Sequence, residues 1–328
     1  MAKFDLVAVG DNATDAFIKI KEAELHCDIN KSDCQICLDF AAKIPYESVT
    51  EVPAGGNSAN VIQAVAKLGL STAYVSTIGD DVYGQKTLAT LIEAGVNTDL
   101  LLKQSGRPTN YNYVLWYLND RTILVKHEEN NYVWPSEITP PDWLYLSSVN
   151  DSDSLLHREI SSWLNNHPET KLIFSPGTTQ IEFGREKLKE IYARTDVFFA
   201  NRSEYQIILK TEEPDLKKLV LMMRDLGPKI IIITDAENGA TGLDEVGQTW
   251  HISAWETKTL ERTGAGDAFA AASSAALALN LGLPTALAWG AINAASVVTQ
   301  VGPHAGQLTR AEIESRLSAN PTFRASEI

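Results

Sequence analysis

Glu261-Arg262-Thr263-Gly264-Ala265-Gly266-Asp267-Ala268-Phe269 is the stretch on which the reading of this 328-residue chain turns. It continues as Ala-Ala-Ala-Ser-Ser-Ala-Ala-Leu-Ala-Leu, a run of strong helix formers with no Gly or Pro before Gly282. Gly264, Ala265 and Gly266 are therefore expected at a helix N-terminus. Unpaired backbone N–H groups and the positive end of the helix dipole make such a place a seat for an anion. Asp267 falls in the first turn, beside that anion. A lone aspartate there can simply complement the dipole, but the glycine-rich turn in front of it favours a functional one. Phosphate chemistry is the first suspect.

Composition narrows the partners. The chain has 42 acidic and 28 basic residues, a net charge of -14, which argues against nucleic-acid and anionic-membrane surfaces because both select basic patches. A phosphate-bearing ligand must then be held by backbone amides and metal. From Ala268 to Thr309 there is no Asp, Glu, Lys or Arg. Asn280, Pro284, Asn293 and Gln300 punctuate that stretch, and it lacks the roughly 20 continuous apolar residues of a membrane span. Two buried helices joined at Leu281-Gly282-Leu283-Pro284 are expected instead. Three cysteines, an odd number, do not make a disulfide framework. No signal-peptide pattern precedes the first strand-like segment, so a cytoplasmic protein is expected.

Outward from the opening stretch, the chain alternates between strand and helix patterns. Phe4 to Gly10 is a short apolar run ending at glycine, as in a buried parallel strand. Asp11 and Asp15 follow it, at the strand end where open α/β sheets gather ligands. Gly55-Gly56-Asn57-Ser58-Ala59-Asn60 leads into a helical pattern stopped by Gly69. Its glycines let backbone approach a ligand, and Asn57 and Asn60 can both donate to and accept from hydroxyl groups. Ser71 to Ile78 reads as a strand and Val82 to Ala94 as a helix. After Pro140-Pro141, strands near 143–147, 172–174, 197–199 and 229–234 alternate with helices near 154–164, 185–192, 203–209 and 216–226. That order argues for one domain over 1–328, a Rossmann-like α/β fold with a mainly parallel sheet and helices on both faces.

Two segments break the alternation. Asn110 to Leu118 and Thr122 to His127 are aromatic-rich and split by Asn119-Asp120-Arg121, as in a hairpin. A polar insert carries His26, Cys27, Cys34 and Cys37. Cys27, Cys34 and Cys37 are of the ligand type for zinc, although their spacing matches no standard finger, and cysteines packed in a small subdomain are the alternative. Together these segments, about 16–54 and 107–134, are expected to form a small β lid over one edge.

Elimination narrows the chemistry. No Gly-x-x-x-x-Gly-Lys-Ser/Thr occurs, which excludes a Walker-type ATPase. His-Arg-Asp and Asp-Phe-Gly are both absent, which excludes the protein-kinase design. Phe269 stands where a dinucleotide fingerprint needs a third small residue, so a dehydrogenase fits poorly. A glycine-rich anion hole, an adjacent carboxylate and a distant hydroxyl-reading cluster suit phosphoryl transfer from a nucleotide to an alcohol. Asp267 would take the hydroxyl proton while the amides of Gly264, Ala265 and Gly266 stabilise the developing charge.

Gly55-Gly56-x-x-x-Asn60 and Gly264-Ala265-Gly266-Asp267 resemble the two signatures of the ribokinase-like, PfkB-type carbohydrate kinases. Asn201-Arg202-Ser203-Glu204 resembles that family's Asn-x-x-Glu motif, and Gly79-Asp80-Asp81-x-x-Gly84 also matches its pattern. The resemblance covers nearly the whole chain and implies ATP and magnesium, with Asp267 as base and Asn201 and Glu204 organising magnesium and phosphates, Glu204 through water. It further implies sugar contacts from Asp11, Asp15, Gly56, Asn57 and Asn60, nucleotide contacts from Thr234, Gly239 and Asn293, and a possible homodimer through the lid. Glu261-Arg262 replace the family's Asp-Thr, an aspartate that often helps hold a monovalent cation, which leaves that cation open. The acceptor is expected to be a sugar. A nucleoside whose base stacks among Tyr111, Tyr113, Trp116 and Tyr132, or a catalytically silent sugar sensor, are the alternatives.

Overall fold

The computed structural model describes residues 3–27, 34–118, 120–126, 128, 130–150 and 154–328. In chain order the first elements are β1 (Leu6–Val9), β2 (Ala13–Ile20), β3 (Glu24–Cys27), β4 (Cys34–Cys37), β5 (Tyr46–Gly55), α1 (Asn57–Lys67), β6 (Thr72–Gly79), α2 (Val82–Glu93) and β7 (Leu101–Gln104). Next come β8 (Tyr111–Tyr117), β9 (Asp120–Leu124), β10 (Trp143–Leu146), α3 (Leu155–Asn166), β11 (Lys171–Phe174), α4 (Thr178–Lys187), α5 (Lys189–Arg194), β12 (Thr195–Asn201), α6 (Arg202–Leu209), α7 (Leu216–Arg224) and β13 (Ile230–Thr234). The chain closes with β14 (Ala240–Leu243), β15 (Thr249–Ile252), α8 (Ala265–Ala278), α9 (Leu283–Val297), α10 (Arg310–Ala319) and β16 (Ser326–Glu327).

Ten strands form the central sheet in the order β16-β15-β14-β13-β12-β11-β10-β1-β6-β7. Pairing is parallel from β7 to β13, and β14, β15 and β16 add an antiparallel edge. The central strands β1 and β10 are apolar on both faces and fully buried, as are the middle three residues of β13, as a sheet covered by helices on both sides requires. One core layer holds α1, α8 and α9 against the sheet, and the other holds α3, α5, α6 and α7. The antiparallel edge has no counterpart in the α/β alternation expected from sequence. The single helix expected near 185–192 is interrupted: Leu188, at φ -103 and ψ 14, separates α4 from α5, and Gly184 at φ 77 and ψ 160 kinks α4 itself.

The charge-free stretch folds as α8 and α9, packed on each other and on α1. Small residues set their approach: a Cβ at Gly290 would lie 2.4 Å from Ser273 Oγ and 3.0 Å from the Phe269 ring. No helix among the described residues is long and apolar enough to cross a membrane.

The lid is a four-stranded sheet, β5-β2-β8-β9, with a separate β3-β4 hairpin. β2 and β8 pair in parallel, and the flanking pairs are antiparallel. The aromatic hairpin is β8-β9; Asn119 of its expected turn and His127 at its expected end lie outside the described residues. Cys27 and Cys34 face each other across β3-β4 and form a disulfide, which leaves Cys37 as the free thiol. That corrects the zinc expectation and puts one bridge where no disulfide framework was expected. Two of the three sulfurs are spent on each other, and no trio of His, Cys, Asp or Glu able to hold a metal occurs among the described residues.

Candidate active site

The turn before α8 is glycine for two separate reasons. Gly264 sits at φ 78, and a Cβ there would lie 2.4 Å from Pro303 Cβ. The Ala268 N–H closes on the Gly264 carbonyl at 2.8 Å, and the Ala265 N–H reaches the Arg262 carbonyl at 3.3 Å. First-turn amides have no intrahelical acceptor, so those of Gly266 and Asp267 are the ones open to an anion. A Cβ at Gly266 would meet nothing within 4 Å, and the residue borders open space in the cleft. Of the expected trio of donors, the Ala265 amide already has an acceptor.

Asp267 is gripped from another helix. Asn60 Nδ2 donates to Asp267 Oδ2 at 2.7 Å, and Asn57 Nδ2 donates to Oδ1 at 3.2 Å. Both asparagines stand in the first turn of α1, whose N-cap Gly56 has φ 102 and packs so close that a Cβ would lie 2.8 Å from the Asp11 carbonyl oxygen. Burial pushes the Asp267 carboxyl up to about 7 against the pull of the two amides, with Glu204 pushing the same way and Arg121 opposing.

The same Gly55-Gly56 turn ties Asp267 to the other expected carboxylates. A Cβ at Gly55 would lie 2.6 Å from Asp15 Oδ2, and Asp15 Oδ1 accepts from Asn112 Nδ2 at 3.0 Å. Asp11 is buried; Tyr132 donates to its Oδ1 and the Asn150 backbone N–H to its Oδ2 at 2.9 Å. Burial raises both carboxyl groups, Asp11 to about 7. Asp11, Asp15, Gly56, Asn57, Asn60 and Asp267 therefore form one continuous polar patch beneath the lid. Of the four lid aromatics, Tyr132 reaches Asp11 and the other three engage other partners. Tyr111 meets Tyr83 at a tilt and Tyr113 edge to face, at 4.6 and 5.2 Å between centroids. Trp116 is buried and donates to the Leu118 carbonyl.

On the other side of Asp267 a cleft of about 1220 Å³ is lined by Asn201, Thr234, Gly239 and Gly266, with Trp255 and Phe323 among its walls. Those two rings meet edge to face at 4.7 Å. Asn293 is not in the cleft. It is 0% exposed, donates to the Ala268 carbonyl and Gln307 Oε1, and accepts from the Leu308 N–H. Every polar atom of that side chain is used in bracing α9 to α8, and its neighbours Ala291, Ala294 and Ala295 line the cleft instead.

Asn201 and Glu204 form a capping box at the start of α6. The Glu204 N–H donates to Asn201 Oδ1 at 3.0 Å, and the Asn201 N–H donates to Glu204 Oε2 at 2.8 Å. Burial raises the Glu204 carboxyl. Asp81 is likewise a cap, accepting from the Gly84 N–H at 2.8 Å and holding the Thr109 N–H and hydroxyl at 2.9 and 2.8 Å. Glu261 is 0% exposed and accepts from the Thr263 N–H, the Thr263 hydroxyl and, at 3.4 Å, the Gly302 N–H. It braces the glycine turn against the loop after α9.

Three cleft or network residues were not singled out from sequence. Arg121, read only as part of a turn, lines the cleft from the lid beside Arg262. His304 lies 2.9 Å from Asn60 Oδ1. Its one sequence signal is that it is the sole titratable side chain between Ala268 and Thr309. Trp255 follows β15 with no pattern around it.

The chain is similar to known proteins. The family model described as pfkB family carbohydrate kinase matches residues 19–310. The chain is 24% identical over 289 residues to the 5-dehydro-2-deoxygluconokinase of Halalkalibacterium halodurans, covering 82% of this chain and 86% of that one. Its fold is similar to that of an E. coli protein solved with ATP and Mg²⁺ (TM-score 0.77, 17% identity, 98% of this chain and 100% of that one). It is also similar to the Burkholderia thailandensis nucleoside kinase in complex with inosine (TM-score 0.77, 18% identity, 97% and 99%).

Proposed function

The chain belongs to the pfkB family of carbohydrate kinases, and we propose that it transfers the γ-phosphoryl group of ATP to a hydroxyl group of a sugar. The observation that carries this reading is the position of Asp267. It stands between an anion-ready helix N-terminus and a patch of hydroxyl-reading side chains, and two asparagines from the far end of the chain hold it. In the reaction the acceptor hydroxyl lies on the Asp11, Asp15 and Asn57 side, and Asp267 takes its proton as the oxygen attacks phosphorus. The amides at the start of α8 face the transferring group, and each such donor contributes on the order of 3 kcal/mol to charge stabilisation. The long cleft takes the nucleotide, with Thr234 and Gly239 beside it.

Magnesium, when bound, offsets phosphate charge. Glu204 suits it through water because the capping box uses only Oε2, and a half-buried carboxylate with no cationic partner among the described residues favours a cation nearby. A sugar is favoured over a nucleoside because Trp116 is buried with its indole N–H spent on the Leu118 carbonyl, and Tyr111 is engaged by Tyr83 of α2 and by Glu51. The outward face of the lid carries exposed Val49, Tyr113 and Leu124, which supports association of two copies through it.

A coupled nucleotide-consumption assay over sugars, sugar acids and nucleosides tests the reading. ATP turnover is expected with at least one sugar. Binding of a sugar without turnover, in the presence of ATP and magnesium, would instead identify a sensor.

A further inference from the structure

We infer that His304 is a positioning residue for Asp267: its Nε2–H fixes which end of the Asn60 amide faces the carboxyl group. His304 lies in the loop after α9, next to Pro303, which closes on Gly264. Its Nε2 is 2.9 Å from Asn60 Oδ1, and Asn60 Nδ2 is 2.7 Å from Asp267 Oδ2. Three side chains from three distant segments thus form one line ending on the carboxyl group.

An amide side chain has one donor end and one acceptor end, so what Asn60 offers Asp267 depends on what its other end meets. For Oδ1 to accept, His304 Nε2 must carry a hydrogen. The neighbouring Gln63 cannot supply one. Its Nε2 is 3.1 Å from the ring nitrogen, but its two hydrogens go to the carbonyl oxygens of Ala54 at 2.9 Å and Ala59 at 2.8 Å. Burial pushes the His304 pKa down to about 4, so the ring holds a single proton at neutral pH. That proton belongs on Nε2.

The opposite arrangement shows what the tautomer decides. With the proton on Nδ1, Asn60 would turn over, donate to the bare Nε2 and present Oδ1 to Asp267. Two oxygens can share that contact only if Asp267 is protonated. The Nε2–H tautomer therefore favours the carboxylate, the form able to accept a proton. No proton passes along the line; it sets orientation only. The other charged or titratable groups facing Asp267 are Glu204 from α6, Arg121 from β9 and the Tyr145 hydroxyl from β10. With Glu261 and Arg262 in the preceding loop, they are unchanged by substitution at 304.

Kinase chemistry gives this network its purpose, but the test reads the protein alone and stands apart from that assignment. Long-range ¹H–¹⁵N NMR of the ligand-free protein reads the ring tautomer. Carboxyl ¹³C titration reads the Asp267 midpoint in the parent, His304→Gln and His304→Met. Gln keeps a donor near the position of Nε2, and Met keeps bulk without one. The expected result is an Nε2–H ring, a parent-like midpoint in H304Q, and a midpoint raised by on the order of one pH unit in H304M. A proton on Nδ1, equal shifts in both variants, or no shift in either overturns the inference. Should H304M fail to fold, the tautomer of the parent decides.

Discussion

The helices α6 and α8 both begin with a carboxylate in their first turn, and they use it in opposite ways. At α6, Glu204 folds back onto the Asn201 N–H while Asn201 accepts from the Glu204 N–H, so the helix caps itself. At α8 the N-cap is Gly264, which has no side chain, and Asp267 reaches away from its own backbone to Asn57 and Asn60. The first end satisfies its own donors. The second leaves amides unpaired and holds its carboxylate ready with groups from more than 200 positions away. A helix N-terminus becomes a reactive site when its local capping partner is missing and a tertiary one takes the carboxylate.

Asp267→Asn is expected to give the largest effect, lowering kcat by about 10²- to 10⁴-fold, the range of a positioned general base, with little change in KM. A loss under tenfold in the coupled assay would place the base elsewhere. The same substitution should raise Tm at neutral pH. Because the folded pKa lies near 7, above the ordinary 3.8, the folded state binds more protons than the unfolded one between those values. Stability therefore falls as pH rises from about 4 to about 7, and removing the charge recovers it. The gain should vanish below pH 4 in thermal melts.

Next in size is the pH dependence of the parent. With the base titrating near 7 in the free protein, kcat/KM should fall about tenfold per pH unit on the acid side of that midpoint. An acid limb centred near pH 4 would mean that Asp267 is not the group observed. Gly264→Ala should cost about 1–2 kcal/mol for the left-handed backbone, and more for contact with Pro303, read as a fall in Tm. At α6, Asn201→Ala should cost about 1 kcal/mol as a lost cap. Glu204→Gln keeps the box, so its Tm should hold while the magnesium concentration needed for half-maximal rate rises. Unchanged magnesium dependence would reduce Glu204 to a structural cap.

Much of the site was legible because glycine pairs before apolar helices announce backbone conformations that few other residues adopt. Gly56 and Gly264 both take positive φ against a close neighbour, and both start the helices that meet at Asp267. Asn293 misled because an asparagine in an apolar helix reads the same whether it faces a ligand or a buried carbonyl. Cys27 and Cys34 misled because zinc ligands and a ladder-paired disulfide share residue types, and only strand register tells them apart. Arg121 and His304 carry no local pattern at all.

The sequence alone therefore determined the alternation of elements, the two glycine turns and the carboxylate between them, since propensity, φ preference and helix-end chemistry act within a few residues. Only the tertiary structure decided which groups meet there. The grip of Asn57 and Asn60, the His304 contact behind it and the reach of Arg121 across the cleft depend on strand register and loop packing, which bring together residues that no local pattern links.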